Sequence, residues 1–179
     1  MTCGLAGSSL PGRAQSPANY RTEAEDLHHF AEFVKWPQSA DGGNQGTGTT
    51  INFCVLGRDP FGNSLDESIL GHPVGDRQPT LVRGKRFEDL GKCDVLFVSS
   101  SETKLQSKIL NRLNRSAVLT VGETRDFAAH GGIIQFVPQG DRVNFLINVD
   151  AANRAGLKIR AALLALAQIV HDGAGKGGG

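Results

Sequence analysis

Closely spaced cysteine pairs are absent from this sequence, whose three cysteines are Cys3, Cys54 and Cys93. Zinc ribbons and thioredoxin-like redox sites need CxxC pairs, so this spacing excludes both classes. An excess of one charge is also missing, because 19 lysines and arginines accompany 18 aspartates and glutamates. We therefore expect no nucleic-acid partner. No segment reaches the roughly 18 consecutive apolar residues of a membrane-spanning helix.

The 179 residues are about the length of one domain. We predict a single α/β domain over residues 21–171, followed by a flexible glycine-rich tail at 172–179. Residues 1–20 contain no acidic side chain and many small ones, as the end of an export signal does. They lack the basic start and apolar core of a complete signal. We interpret them as an export-signal remnant or a disordered N-terminus.

Apolar periodicity predicts a helix near the N-terminus. From Thr22 to Trp36, apolar residues recur at i, i+3, i+4 and i+7, and the spacing of Thr22 and Glu25 is that of a capping box. Pro37 ends this helix. Residues 39–48 then form a flexible glycine-rich loop. It lacks the lysine of a phosphate loop and precedes a strand rather than following one, which excludes a Walker motif.

The rest of the chain alternates apolar runs with helical patterns. This alternation predicts βαβ units and a three-layer α/β/α sandwich with a mostly parallel sheet. The last two strands, joined by the turn sequence PQGDR, predict an antiparallel hairpin at one edge. Strands are expected at 50–56, 79–84, 94–98, 117–123, 131–137 and 142–149, and helices at 60–70, 104–114 and 153–170.

Two strand ends carry the candidate ligand or partner loop. Ser99, Ser100 and Ser101 end one strand, and Gly122 and Glu123 end another. Ligand-contacting loops often follow the strands of open α/β sheets. The alternative is a simple turn in which a serine hydroxyl caps the next helix. No G-x-S-x-G motif surrounds the serines, which disfavours a serine hydrolase.

Other reactive side chains lack the partners that chemistry requires. His28 and His29 are adjacent, so on a helix they point about 100° apart and do not form the HExxH pair of a zinc site. We expect one to face solvent and the other to pack at a boundary. Asp94 adjoins Cys93, but no histidine motif is present to activate that thiol. We predict no catalytic residue, cofactor or metal.

Cys54 lies in the middle of a predicted strand, and Cys93 lies at the entrance to another. If these strands are neighbours, a disulfide is geometrically plausible. It would stabilise the fold by roughly 4 kcal/mol and would persist only in an oxidising compartment. Spacing alone leaves two unpaired core thiols equally open.

Six motifs in fixed order resemble the YfiR-like periplasmic proteins: AEFVKWP, FCVLGRDPFG, GKCDVLFVSSS, LTVGE, FAAHGGIIQFV and VNFLINVDAANRAGLKIRAALLALA. The resemblance covers residues 23–170. It implies a periplasmic repressor that binds the periplasmic part of an inner-membrane diguanylate cyclase of the YfiN type. It also implies that an outer-membrane peptidoglycan-binding lipoprotein of the YfiB type sequesters the repressor, which releases cyclic di-GMP synthesis and biofilm formation.

The same resemblance implies a disulfide between Cys54 and Cys93, which fall in the family's CVLG and CDVLF motifs. Some members carry a second cysteine pair in the segments matching FAAHGGIIQF. Here Ala128, Ala129 and Gln135 occupy that region. A single disulfide is expected mainly to stabilise the fold. Redox sensing that depends on a second disulfide is not expected here.

The last predicted helix carries more apolar surface than one core-facing stripe requires. We expect Leu163, Leu166, Ile169 and Val170 to form the subunit interface of a homodimer, with burial on two sides as the alternative. The sequence thus favours a non-enzymatic binding protein. A rival hypothesis is a periplasmic small-molecule or redox sensor that binds its ligand at the strand ends near Ser99.

Overall fold

The structure, a computed structural model, describes residues 16–37, 49–140 and 142–173. Its helices are α1 (Pro17–Glu32), α2 (Asn63–Ile69), α3 (Gln106–Leu113), α4 (Val149–Arg154) and α5 (Ala161–Leu164). Its strands are β1 (Val34–Lys35), β2 (Thr50–Leu56), β3 (Gln78–Gly84), β4 (Val95–Val98), β5 (Leu119–Gly122), β6 (Ile134–Gln139), β7 (Arg142–Asn148), β8 (Lys158–Ile159) and β9 (Gln168–Val170). The predicted loop at 39–48, residues 1–15 and residues 174–179 lie outside the described residues.

Seven strands form one sheet in the order β3-β2-β4-β5-β6-β7-β9. Strands β2 to β6 run parallel, and β6 and β7 form the predicted antiparallel hairpin. That hairpin is not the sheet's edge, because β9 pairs with the far side of β7. A second, two-stranded sheet joins β1 to β8.

Side chains alternate across the sheet, as a pleated strand requires. On β2, Phe53 and Val55 join a core with α1 and α2, while Cys54 and Leu56 join a second core with α3. The sheet is therefore covered on both faces, which confirms the α/β/α sandwich. Within the described ranges, no helix combines the length and apolar character of a membrane span.

Helix α1 begins at Pro17, five residues before the predicted Thr22. The Ser16 hydroxyl accepts a hydrogen bond from the Asn19 amide, and Pro17 occupies the first helical position. Serine as the cap followed by proline is a strong start signal. The apolar periodicity becomes clear only further along the chain, so it does not reveal this start.

The single helix predicted for 153–170 is wrong. Helix α4 ends before Gly156, which has φ +71°. The Leu157 amide donates to the Ala152 carbonyl, and the Gly156 amide donates to the Asn153 carbonyl. This is a Schellman motif, in which glycine readily adopts the left-handed conformation. The chain then extends into β8, forms the short α5 and finishes as β9, so the apolar residues serve three elements.

Asp26 on α1 gives a test of pH dependence. The pKa of Asp26 is raised from 3.8 to about 6, chiefly because burial disfavours the carboxylate; His29 opposes this rise, and the Glu25 charge contributes to it. Between pH 4 and 6 the folded state therefore binds more protons than the unfolded state, so this residue makes stability fall as pH rises. Because the side chain is partly exposed, we expect Asp26→Asn to stabilise the protein by only about 1 kcal/mol at pH 7.

Urea unfolding at pH 7 and pH 4 checks this expectation. The gain from Asp26→Asn should nearly vanish at pH 4, where Asp26 is protonated in the folded protein. Glu67→Gln on α2 removes an exposed carboxylate and serves as the control. An equal gain at both pH values would contradict the assigned cause.

Candidate functional site

The carboxyl edge of the sheet contains a topological switch point. The chain leaves β2 for β3 on one side and then crosses to β4 on the other. Loops after β2 and β4 diverge at such a point, where open α/β sheets commonly bind ligands. Ser99–Ser101 follow β4 here, and Gly122 and Glu123 lie at the end of neighbouring β5.

The structure brings these loops together around Glu123. One carboxylate oxygen of Glu123 accepts a hydrogen bond from the Ser100 amide at 2.8 Å. The other accepts one from the Tyr20 hydroxyl at 3.1 Å. Burial raises the pKa of Tyr20 well above its usual value, and the Glu123 charge adds to the rise, so the phenol stays protonated. Sequence reasoning missed Tyr20, because only folding brings α1 to this edge.

The serines after β4 also contact the loop that follows β2. The Ser101 hydroxyl accepts a hydrogen bond from the Arg58 amide at 2.9 Å, and Ser99 caps the short 3₁₀ turn at 100–102. Gly57 has φ +93°, and a Cβ there would lie 2.4 Å from the Ser101 hydroxyl oxygen. The polar groups between these loops bond to one another, while the Ser100 and Ser101 side chains remain exposed.

The two histidines of α1 line a polar groove between α1 and α2. His28 is half-buried, with Nε2 2.8 Å from the His72 carbonyl oxygen, and His29 is exposed. This confirms the expectation that one packs and the other faces solvent. Among the described residues, no group of three or more His, Cys, Asp or Glu side chains is arranged to hold a metal ion.

Cys54 and Cys93 form a disulfide in the structure, with a Cα–Cα distance of 5.9 Å. The bond forms because β2 and β4 are parallel neighbours, with Phe53 paired to Val95. Cys54 is buried and Cys93 is half-buried. Neither sulfur is a free thiol.

Asp94, which adjoins Cys93, is the acceptor of a buried polar cluster. Its carboxylate, 2% exposed, accepts hydrogen bonds from the Asn52 amide at 2.8 Å and from the Asn52 side chain at 2.9 Å. Arg77 Nη2 lies 3.1 Å away, and its Nε donates to the Thr50 carbonyl. Asp94 is thus bound to Arg77 and to β2. No local sequence pattern predicts these contacts.

A comparison with known families decides the relationship that the motifs suggested. The model of the YfiR/HmsC-like family matches residues 20–168. The chain belongs to the YfiR/HmsC-like family. This family consists of periplasmic regulators of cyclic di-GMP signalling rather than enzymes.

A solved structure supports the same fold. The chain superposes on an ABC domain from Streptococcus pneumonia, determined in complex with L-Trp, with a TM-score of 0.55 and 10% sequence identity. The match covers 82% of this chain and 60% of the other. At this identity the likeness concerns the α/β fold alone.

In this member of the YfiR/HmsC-like family, hydrogen bonds hold the segment around Ala128 and Gln135, which contains no cysteine. The Gln135 side-chain oxygen accepts a bond from the Ala128 amide at 3.0 Å, and Asn148 donates to the Ala128 carbonyl at 2.7 Å. All three residues are buried. The segment before β6 is therefore held to the sheet by contacts that contain no sulfur.

The apolar residues predicted as a subunit interface are not equivalent. Leu163 is 4% exposed and belongs to the core, so it is unavailable to a partner. Leu166 is 77% exposed and Ile169 is 40% exposed. Val170 is half-buried and pairs with Asn148. Of the four predicted interface residues, only Leu166 and Ile169 are well exposed.

Proposed function

We propose that this protein represses an inner-membrane diguanylate cyclase of the YfiN type by binding its periplasmic domain. An outer-membrane peptidoglycan-binding lipoprotein of the YfiB type sequesters the repressor and so permits cyclic di-GMP synthesis and biofilm formation. The family match over residues 20–168 carries this proposal. The disulfide supports a periplasmic site of action, because such bonds persist in oxidising compartments.

Repression in this scheme is a shift between two states of the cyclase. Moving it from 99% active to 99% inactive requires about 5.5 kcal/mol of preference for the inactive state. One modest apolar interface can provide that difference. We propose the exposed loop of Ser100 and Ser101 as a partner contact. Glu123 holds the Ser100 amide and the Arg58 amide holds the Ser101 hydroxyl, so the loop is fixed while both serines remain exposed.

A reconstituted assay tests this proposal with the purified oxidised protein and the full-length cyclase in proteoliposomes. We expect saturable binding and a loss of cyclase activity that follows occupancy. Ser100→Arg should weaken binding at least tenfold by placing a long charged side chain in the contact. Ser107→Arg on exposed α3 is the matched control. Full-length cyclase that neither binds the protein nor loses activity would overturn the repressor assignment.

We further propose that the protein forms a homodimer through Leu166, Ile169 and the outer edge of β9. Leu166 is the most exposed large apolar residue in the described ranges, and β9 ends the sheet. An exposed edge strand beside apolar side chains favours pairing with another strand. Light scattering after size exclusion should give a dimer, and Leu166→Ser should shift dissociation to at least tenfold higher concentration.

Leu105→Ser provides the control for dimerisation, since Leu105 is 51% exposed on another face. It should leave the dimer unchanged. A monomeric wild-type protein, or equal effects of the two variants, would rule out this interface without affecting the repressor proposal.

A further inference from the structure

A groove among the described residues lies at the amino edge of the sheet, opposite the switch point. It has a volume of about 780 Å³ and runs beside the residues that precede β4 and β5. Its wall includes Phe87, Lys92, Leu113, Arg115, Val118 and Arg154. Cys93 also lines it, so the disulfide holds the adjacent Lys92 in place.

The groove is cationic. Lys92, Arg115 and Arg154 line it, and among the described residues that line it none is acidic. Arg154 is already bonded to Asp172 and Asn114. Lys92 and Arg115 are exposed, and neither has an ion-pair partner within the described residues. Two positive charges therefore remain available to a ligand.

The same groove offers apolar surface between these charges. Phe87, Leu113 and Val118 are each half-buried, and Leu96 is fully buried beneath them. Small-molecule sites typically combine such apolar walls with a few polar groups that fix orientation. A ligand that satisfies both features has an apolar body and a negative charge.

The backbone at Arg115 supplies an independent observation. Residues 113–116 form a β-turn closed by the Ser116 amide bonding to the Leu113 carbonyl at 2.8 Å. Asn114 has φ −58° and ψ 113°, and Arg115 has φ +81°. These values are those of a type II turn, whose third position favours glycine. The chain places an arginine there despite the strain, and such outliers concentrate at functional sites.

We propose that this groove binds a small amphipathic anion, with an aromatic ring or short apolar chain and one carboxylate, sulfonate or phosphate group. The anionic group lies between Lys92 and Arg115. The apolar body packs on Phe87, Leu113 and Val118. This site is separate from the partner loop and from the β9 edge, so it does not depend on the proposed repression.

Two fluorescent probes of matched shape test the proposal. 8-Anilinonaphthalene-1-sulfonate carries a sulfonate, whereas N-phenyl-1-naphthylamine has nearly the same apolar body without the charge. We expect the sulfonate probe to bind the oxidised full chain at one saturable site, at least tenfold more tightly than the neutral probe. Added salt should weaken only the charged probe, because salt screens exposed charges.

Arg115→Gly is the decisive variant. It removes the charge while giving the turn its favoured residue, so the protein should keep or gain thermal stability. Binding of the sulfonate probe should weaken at least tenfold, and Lys92→Ala should have a similar effect. Arg142→Ala and Lys158→Ala, which remove exposed cations outside the groove, should leave binding unchanged.

The proposal would be overturned by equal affinity for the two probes, by unchanged binding in Arg115→Gly, or by binding that does not saturate at one site. Loss of binding in Leu166→Ser would likewise place the probe at the β9 edge and refute the groove.

Discussion

Replacing Cys54 and Cys93 with alanine is expected to lower the free energy of unfolding by about 4 kcal/mol. The bond closes a loop with a sequence separation of 39 residues, and in the chain-entropy model its loss restores conformational freedom to the unfolded chain. For a chain of this length, a loss of that size corresponds to a fall in melting temperature of roughly 8–16 °C.

Urea and thermal unfolding under oxidising conditions measure this effect. Reduced wild-type protein should match the double variant to within about 1 kcal/mol, and reductant should not change the double variant further. Identical stability of the oxidised and reduced wild type would contradict the expected role of the bond. A single Cys54→Ala variant is a poorer test, because it leaves Cys93 as a half-exposed thiol.

The hydrogen bonds at Ala128 limit what reduction can do in this protein. Gln135 and Asn148 hold that segment without sulfur, so reductant acts on the described fold only through Cys54 and Cys93. Within the part of the chain that the structure describes, a redox response must therefore act through the contact between β2 and the start of β4.

The central strands could be predicted from sequence because they are buried on both faces. A short, continuous apolar run such as Val95–Val98 is typical of a buried strand. The alternation of such runs with helices along the chain implies a parallel sheet covered by helices on both faces. The C-terminal region was mispredicted because apolar residues for three elements were read as one helix. Gly156 is the glycine that ends α4. The apolar residues on both sides of it favour a continuous helix in the sequence pattern.

The candidate site was predictable only in part, for a physical reason. Adjacent parallel strands place Ser99–Ser101 and Glu123 at one edge, and topology alone brings them together. Tyr20 approaches that edge from 103 residues away in sequence, and Arg77 reaches Asp94 from the far side of β2. Such contacts depend on tertiary packing, which leaves no local pattern.

The buried pair of Asp94 and Arg77 should give the other large effect. Asp94→Ala leaves the Arg77 guanidinium, in a residue that is 9% exposed, without its counter-charge. Removing one partner of a buried ion pair typically costs about 3–5 kcal/mol. The loss should be near the upper end, because the Asn52 amide and side chain also lose their acceptor.

Two further variants separate this explanation from a general loss of packing. Glu88→Gln removes an exposed partner of Arg112 and should cost far less than Asp94→Ala, because exposed ion pairs contribute little to stability. Arg77→Met combined with Asp94→Leu removes both charges, so it should recover much of the loss seen in Asp94→Ala, since apolar replacement of a buried pair is often neutral. If Asp94→Ala cost no more than Glu88→Gln, water would reach Arg77 in the folded state.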